Sequence, residues 1–214
     1  LAHRKTELGE PILRIPNLVT KKLYAEQILE MLLPEANRDQ ALQVAKAFYS
    51  TGDMQPLCDF METRYFRAFD NRDLRWANEL TVKTAFLTLL FNDTFYITDS
   101  EPELERTYSD LAMIVRPDMR QYSLLDILME FKYVPLGKHS LTGEKIRETD
   151  MAELAALKPV KAKMADAEKQ LAEYREKLER NYGDTLRLHT YAVVAVGFDR
   201  ILWKEVKPEE DNAA

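Results

Sequence analysis

Two oppositely charged residues lie two positions apart in the most apolar stretch of the chain, and they are the first candidates for chemistry. Glu130 and Lys132 interrupt the run 123–134, which is rich in Leu, Ile, Met and Phe. Such a run favours a buried strand, in which residues i and i+2 point to the same face. The carboxylate and the ammonium are therefore predicted to be neighbours on one face, with Phe131 on the other. Because burying a charge is unfavourable unless the charge is paired or bound to a metal, this pair calls for an explanation.

A second acid strengthens the case, because Glu-x-Lys is a common pattern by itself. Asp110 lies near the start of a second predicted strand, 108–115, and the residues that follow are turn-like, with Pro and Asp. If the two strands pair as a hairpin, Asp110 comes level with Glu130. Two carboxylates and water can hold Mg²⁺, and the ion would activate a water and stabilise charge on phosphate oxygens. Lys132 could then orient or deprotonate the attacking water, or stabilise the phosphate as a point charge.

Two other acids compete with Asp110 for this role. Asp118 follows Pro117, and this dipeptide matches the letters of a Pro-Asp motif. It falls in the predicted hairpin turn, however, and so lies away from the Glu130 end of the partner strand. Asp126 shares the face of Glu130 but lies further along the strand. We therefore expect Asp110 to be the second acid and keep Asp118 as the alternative.

The elements that must position these residues follow from the hydrophobic pattern. Apolar spacing predicts four helices in the first part of the chain and strands with one long helix in the rest. This order predicts an α/β fold, with a mixed central β-sheet flanked by helices and preceded by a helical subdomain. The predicted helices are 18–33, from 37 or 39 to 52, 55–69, 72–91 and 160–182, and the predicted strands are 94–98, 108–115, 123–134, 187–196 and 201–206.

Composition narrows the class of protein. Hydrophobic residues make up 46% of the 214 residues and charged residues 31%, which is typical of a globular protein with a core. With a net charge of −6, the chain lacks the overall positive field of many DNA-binding proteins. Contact with nucleic acid would therefore depend on a local basic patch or on bridging metal ions. No apolar run approaches the roughly 20 residues that span a bilayer, so we expect no membrane partner and a cytoplasmic location.

Taken together, these residues resemble a known family. Asp110 followed by Glu130-x-Lys132 is similar to the signature of the PD-(D/E)xK, or restriction-endonuclease-like, nuclease superfamily. More narrowly, the similarity is to the nuclease domain that follows an AAA-ATPase-like domain in many bacterial proteins. It is carried by Tyr108-Ser109-Asp110-Leu111, Arg116-Pro117-Asp118, Glu130-Phe131-Lys132-Tyr133-Val134 and the segment 188–198.

The resemblance implies a function. It implies hydrolysis of DNA, in preference to RNA, with Mg²⁺ or alternatively Mn²⁺ held by Asp110 and Glu130 and with Lys132 assisting catalysis. The implied domains are a helical linker or subdomain at 1–72, the nuclease domain at 73–207 and an acidic tail at 208–214. An ATPase-like domain outside this fragment is the implied partner, and homo-oligomerisation is left open.

Three further positions match by the same resemblance. Gln170 and Tyr174 form a Q-x-x-x-Y motif, as in RecB-like and lambda-exonuclease-like members, and residues four apart share one face of a helix. They are implied to position a DNA phosphate or the general base. Glu79 matches the acidic residue of the family's first motif, which could hold a metal-bound water or a second ion.

A non-catalytic module is the alternative hypothesis. A fold of this kind can host unrelated roles, so the domain could bind nucleic acid or a protein partner without cutting anything. The acidic net charge favours this alternative. The complete set of Asp110, Glu130 and Lys132 argues against it, because an inactive site would readily lose one member.

Overall fold

The computed structural model describes residues 4–5, 11–12, 18–68, 78–100, 103–104, 107–108, 110–136 and 142–207. The α-helices are α1 (Leu18–Leu32), α2 (Glu35–Thr51), α3 (Gln55–Phe60), α4 (Glu79–Leu90), α5 (Gly143–Glu148), α6 (Met151–Ala156) and α7 (Lys158–Tyr182). The strands are β1 (Arg4–Lys5), β2 (Pro11–Ile12), β3 (Tyr96–Ser100), β4 (Glu103–Leu104), β5 (Thr107–Tyr108), β6 (Leu111–Val115), β7 (Asp126–Val134), β8 (Leu188–Val196) and β9 (Arg200–Glu205).

Five strands form the central sheet, in the order β3-β6-β7-β8-β9. β7 and β8 are parallel, and the other neighbours are antiparallel. A parallel pair needs a long crossover connection, and α5, α6 and α7 lie on the path between β7 and β8. β1–β2 and β4–β5 form two further two-stranded pairs. The predicted fold class, a mixed sheet flanked by helices after an N-terminal helical region, is confirmed.

The two faces of the sheet are covered by different helices. On one face, side chains of α2, α3 and α4 share an apolar cluster with the strands, and the rings of Phe86 and Phe131 lie 4.9 Å apart between centroids. On the other face, Leu171 of α7 packs against Leu128 and Ala192. β7 is buried along almost its whole length, as its apolar sequence predicts.

Several element boundaries differ from the predicted ones for local reasons. β3 begins at Tyr96 instead of 94, because the side-chain oxygen of Asn92 accepts the N–H groups of Thr94 and Phe95 and folds them into a turn. The predicted strand 108–115 is interrupted by a bend at Asp110. α2 begins directly after Pro34, ahead of the predicted start, and β7 begins three residues after the start of the predicted run.

α4 begins later than the predicted helix 72–91, because Asn78 caps it. The Asn78 side chain accepts the N–H of Thr81, while the Thr81 hydroxyl accepts the N–H of Asn78. Residues 69–77 lie outside the described residues, so the domain boundary near 72 stays a prediction, as does the tail 208–214. Among the described residues, no helix is long and apolar enough to cross a bilayer.

Candidate active site

β7 extends beyond the residues that pair with β6, and this part of β7 forms the candidate site. The two strands pair only as far as Leu111 and Met129. Just before Leu111 the chain bends at Asp110, whose Oδ2 accepts the N–H of Phe131 at 2.8 Å. The N–H of Asp110 in turn donates to Oε2 of Glu130 at 3.2 Å. The bend therefore brings two carboxylates side by side, as counting along the predicted hairpin indicates.

Lys132 lies beside these acids and is surrounded by acceptors from three elements. Its Nζ is 2.7 Å from Oε1 of Glu130 on the same strand and 3.0 Å from Oε1 of Gln170 on α7. The carboxylates of Glu79 on α4 and Asp166 on α7 are each 3.9 Å away. The Lys132 side chain is only 7% exposed, whereas those of Glu79 and Asp166 are 41% and 50% exposed. The ammonium is thus buried, and the two more exposed acids lie between it and solvent.

A second buried lysine, which the sequence analysis did not single out, contacts the other acid. Lys83 of α4 has its Nζ 3.4 Å from Oδ1 of Asp110, and its side chain is 5% exposed. A lysine one helical turn after Glu79 shares that residue's face, but this spacing does not show which strand the face meets. Asp166 was missed in the same way, because it precedes Gln170 by one turn of α7.

Burial and mutual repulsion change the ionisation of the site. Burial raises the pKa of Glu130 to about 7, the charge of Asp110 adds to the rise, and Lys132 opposes it. For Lys132, burial lowers the pKa, but the hydrogen bond and charge of Glu130, with the charges of Glu79 and Asp110, outweigh burial and raise the pKa above its ordinary value. Lys132 therefore carries its proton at neutral pH, while Glu130 titrates near neutrality.

Two other predicted site residues, Asp118 and Tyr174, lie in different surroundings. Asp118 lies in the turn after β6, where its half-exposed carboxylate pairs with Arg116, away from Glu130. Asp110, and not Asp118, is thus the acid that lies beside Glu130, and its role as a metal ligand stays a prediction. Tyr174, one turn beyond Gln170 on α7, is 2% exposed and packs in the apolar cluster between α7 and the sheet.

The donor set fits a hard divalent cation. Asp110 at the bend before β6 and Glu130 of β7 present two carboxylates, and a cation between them would relieve the repulsion that helps to raise the pKa of Glu130. Mg²⁺ is commonly held by one or two carboxylates and keeps several waters. In the part of the chain that the structure describes, no group of three or more His, Cys, Asp or Glu side chains is placed to hold a metal. Further ligands would therefore come from water, backbone or substrate.

Comparison with known proteins identifies no relative of the chain. No protein-family model matches it, and neither a curated protein nor a solved structure does. The resemblance to PD-(D/E)xK nucleases therefore depends on the quoted motifs and stays a prediction.

Proposed function

We propose that this chain is a metal-dependent nuclease domain of the PD-(D/E)xK type, which hydrolyses DNA phosphodiester bonds with Mg²⁺ or Mn²⁺. One observation carries the proposal: Asp110, at the bend before β6, lies beside Glu130 of β7, and the ammonium of Lys132 is 2.7 Å from Glu130. The mixed sheet flanked by helices is consistent with the fold that the resemblance implies.

Each side chain has a role that its surroundings support. A bound divalent cation would supply Lewis acidity toward a phosphate oxygen and a water of lowered pKa. Asp110 and Glu130 would provide its anionic oxygen ligands. Lys132, which keeps its proton because its pKa is raised, is suited to donate hydrogen bonds to the charge that develops on the phosphate. Gln170 orients this ammonium through its side-chain oxygen.

The proposal also accounts for an acidic chain that acts on a polyanion. The net charge of −6 gives no long-range attraction for nucleic acid. A bound metal ion would provide the attraction at the site itself, because Lys83 and Lys132 are buried and paired with Asp110 and Glu130. The proposed setting is a cytoplasmic protein in which an ATPase-like domain accompanies the nuclease domain, with DNA preferred over RNA.

The test is DNA cleavage by the purified chain at several Mg²⁺ and Mn²⁺ concentrations. Lys132→Ala removes the buried ammonium, and Lys145→Ala removes an exposed lysine of α5 as a matched control. We expect cleavage by the unmutated chain and by Lys145→Ala. We expect Lys132→Ala to be slower by about 10²-fold or more, the typical effect of losing one donor that stabilises transition-state charge. Folded protein that leaves DNA intact with either metal would refute the proposal.

The non-catalytic alternative has one structural observation in its favour. Each carboxylate of the central pair already has a lysine, Lys83 at Asp110 and Lys132 at Glu130, so both have a counter-ion without a metal. A binding module would retain DNA or partner affinity but show no heat of binding for Mn²⁺. Calorimetric titration of Mn²⁺ into the unmutated chain and into Asp110→Ala therefore separates the two functions.

A further inference from the structure

The geometry points to Lys83 as a resident counter-ion of the proposed metal site, which competes with a divalent cation for Asp110 and so sets the metal affinity. This inference rests on the proposed function, because it assumes that Asp110 is a metal ligand. It assigns a role to a residue outside the Asp110, Glu130 and Lys132 motif.

The hydrogen bonds of Asp110 carry the first step. Its Oδ2 is held by the backbone N–H of Phe131 at 2.8 Å, which fixes the carboxylate against β7. Its Oδ1 is the oxygen that faces Lys83, with 3.4 Å between Oδ1 and Nζ. A cation that takes Asp110 as a ligand therefore arrives at a carboxylate whose second oxygen already contacts an ammonium.

Burial makes this competition effective. The side chains of Lys83 and Asp110 are 5% and 18% exposed, so solvent and salt screen their charges poorly. The repulsion between an ammonium and a divalent cation a few ångströms away is strong under such conditions. Lys132 pairs with Glu130 in the same way, so each of the two central carboxylates already has a counter-ion when the cation arrives.

The contact between Lys83 and Asp110 is longer than the other charged contacts of the neighbouring strands. Charge-assisted hydrogen bonds between nitrogen and carboxylate are commonly about 2.7–2.9 Å long. Lys132 reaches Glu130 at 2.7 Å, and Arg120 reaches Asp126 at 2.6 Å, whereas Lys83 stands 3.4 Å from Asp110. A compact ammonium on a flexible stem can withdraw from such a contact when a stronger cation arrives.

The test is calorimetric titration of Mg²⁺ and Mn²⁺ into the full chain without DNA. Lys83→Met and Lys83→Gln remove the charge, and we expect each to lower the Kd for the metal by about tenfold or more. Lys83→Arg keeps the charge and is expected to leave the Kd within about threefold of the unmutated value. Lys145→Met, at an exposed lysine, is the matched control and should change nothing.

The outcomes are distinct for the two proposals. If metal binds the unmutated chain but the Kd is unchanged or higher in both neutral variants, the counter-ion role is overturned and the nuclease proposal stands. If circular dichroism shows that Lys83→Met is unfolded, Lys83→Gln decides, since its amide can still donate to Asp110. Tighter metal binding in that variant, with no DNA cleavage by the unmutated chain, would support the counter-ion role and refute the nuclease. Absence of binding in all forms would overturn both.

Discussion

β7 carries two buried carboxylates on one face, Asp126 and Glu130, and their surroundings differ in kind. Asp126 is fully buried, and both of its oxygens are occupied. Oδ1 accepts the N–H of Val115 and Nη2 of Arg120, and Oδ2 accepts the N–H of Arg187 and Nη1 of Arg120, over distances of 2.6–2.9 Å. Glu130 has Lys132 and one backbone N–H, and it shares its space with a second acid.

This difference separates a structural acid from a candidate functional one. Two backbone N–H groups and a bidentate guanidinium satisfy the Asp126 carboxylate, so the fold itself explains its presence. Glu130 faces Asp110, and burial together with that charge raises its pKa to about 7. Two like-charged carboxylates that are partly buried together do not stabilise a fold efficiently. Carboxylates with perturbed pKa values are concentrated at functional sites.

Among the substitutions that test this comparison, the largest effect on stability is expected at Asp126. Asp126→Ala removes the acceptor of four hydrogen bonds and leaves the Arg120 guanidinium without its carboxylate, so we expect the free energy of unfolding to fall by about 3–5 kcal/mol. Urea denaturation measures this loss, with metal affinity by calorimetry as the control that should not change. A loss below about 1 kcal/mol would show that Asp126 is not the structural acid of the strand.

At Glu130, a substitution is expected to raise the free energy of unfolding instead of lowering it. Because its pKa in the folded chain is raised to about 7 from an ordinary value near 4.5, the unmutated chain loses stability as pH rises through that window. Glu130→Gln removes this loss, so without metal we expect the variant to be more stable than the unmutated chain by about 1–3 kcal/mol at pH 8, and to show no gain below about pH 4.5. Urea denaturation at several pH values measures the difference.

The same Glu130→Gln variant sharpens the comparison through metal binding. An amide is a poorer ligand than a carboxylate for a hard cation, so calorimetric binding of Mg²⁺ should be lost or strongly weakened. Gained stability with retained metal affinity would move the metal site away from Glu130. Lower stability at pH 8 would place Glu130 in the same class as Asp126.

The smallest effect is expected at Asp118, the rival acid in the turn. Its carboxylate is exposed and accepts a hydrogen bond from Arg116, and this hydrogen bond, with the charge of the guanidinium, lowers its pKa. Exposed pairs of this kind contribute little to stability. We expect Asp118→Asn to leave the unfolding transition and the Mg²⁺ affinity within experimental error. A clear loss of Mg²⁺ affinity would restore Asp118 as the metal-binding acid and remove Asp110 from that role.

Part of the site could be predicted because it depends on local geometry. The period of two along a strand places Glu130 and Lys132 on one face, and a hairpin count brings Asp110 level with Glu130. The structure has both features: Lys132 contacts Glu130, and Asp110, next to the last pair of β6 and β7, contacts Glu130 as well. Element boundaries were less accessible, since a side chain such as Asn92 can fold the start of a predicted strand into a turn.

The sequence by itself determined the α/β order of elements and the acid–lysine pair of β7, because the spacing of apolar residues reflects the local secondary structure. Only the tertiary structure decided that Lys83 would join this pair. Phe86 packs on Phe131, and this contact between segments distant in the chain places Lys83, on the preceding turn of α4, beside Asp110. No periodicity encodes which helix meets which strand end, because that choice depends on how the apolar surfaces of the whole chain fit together.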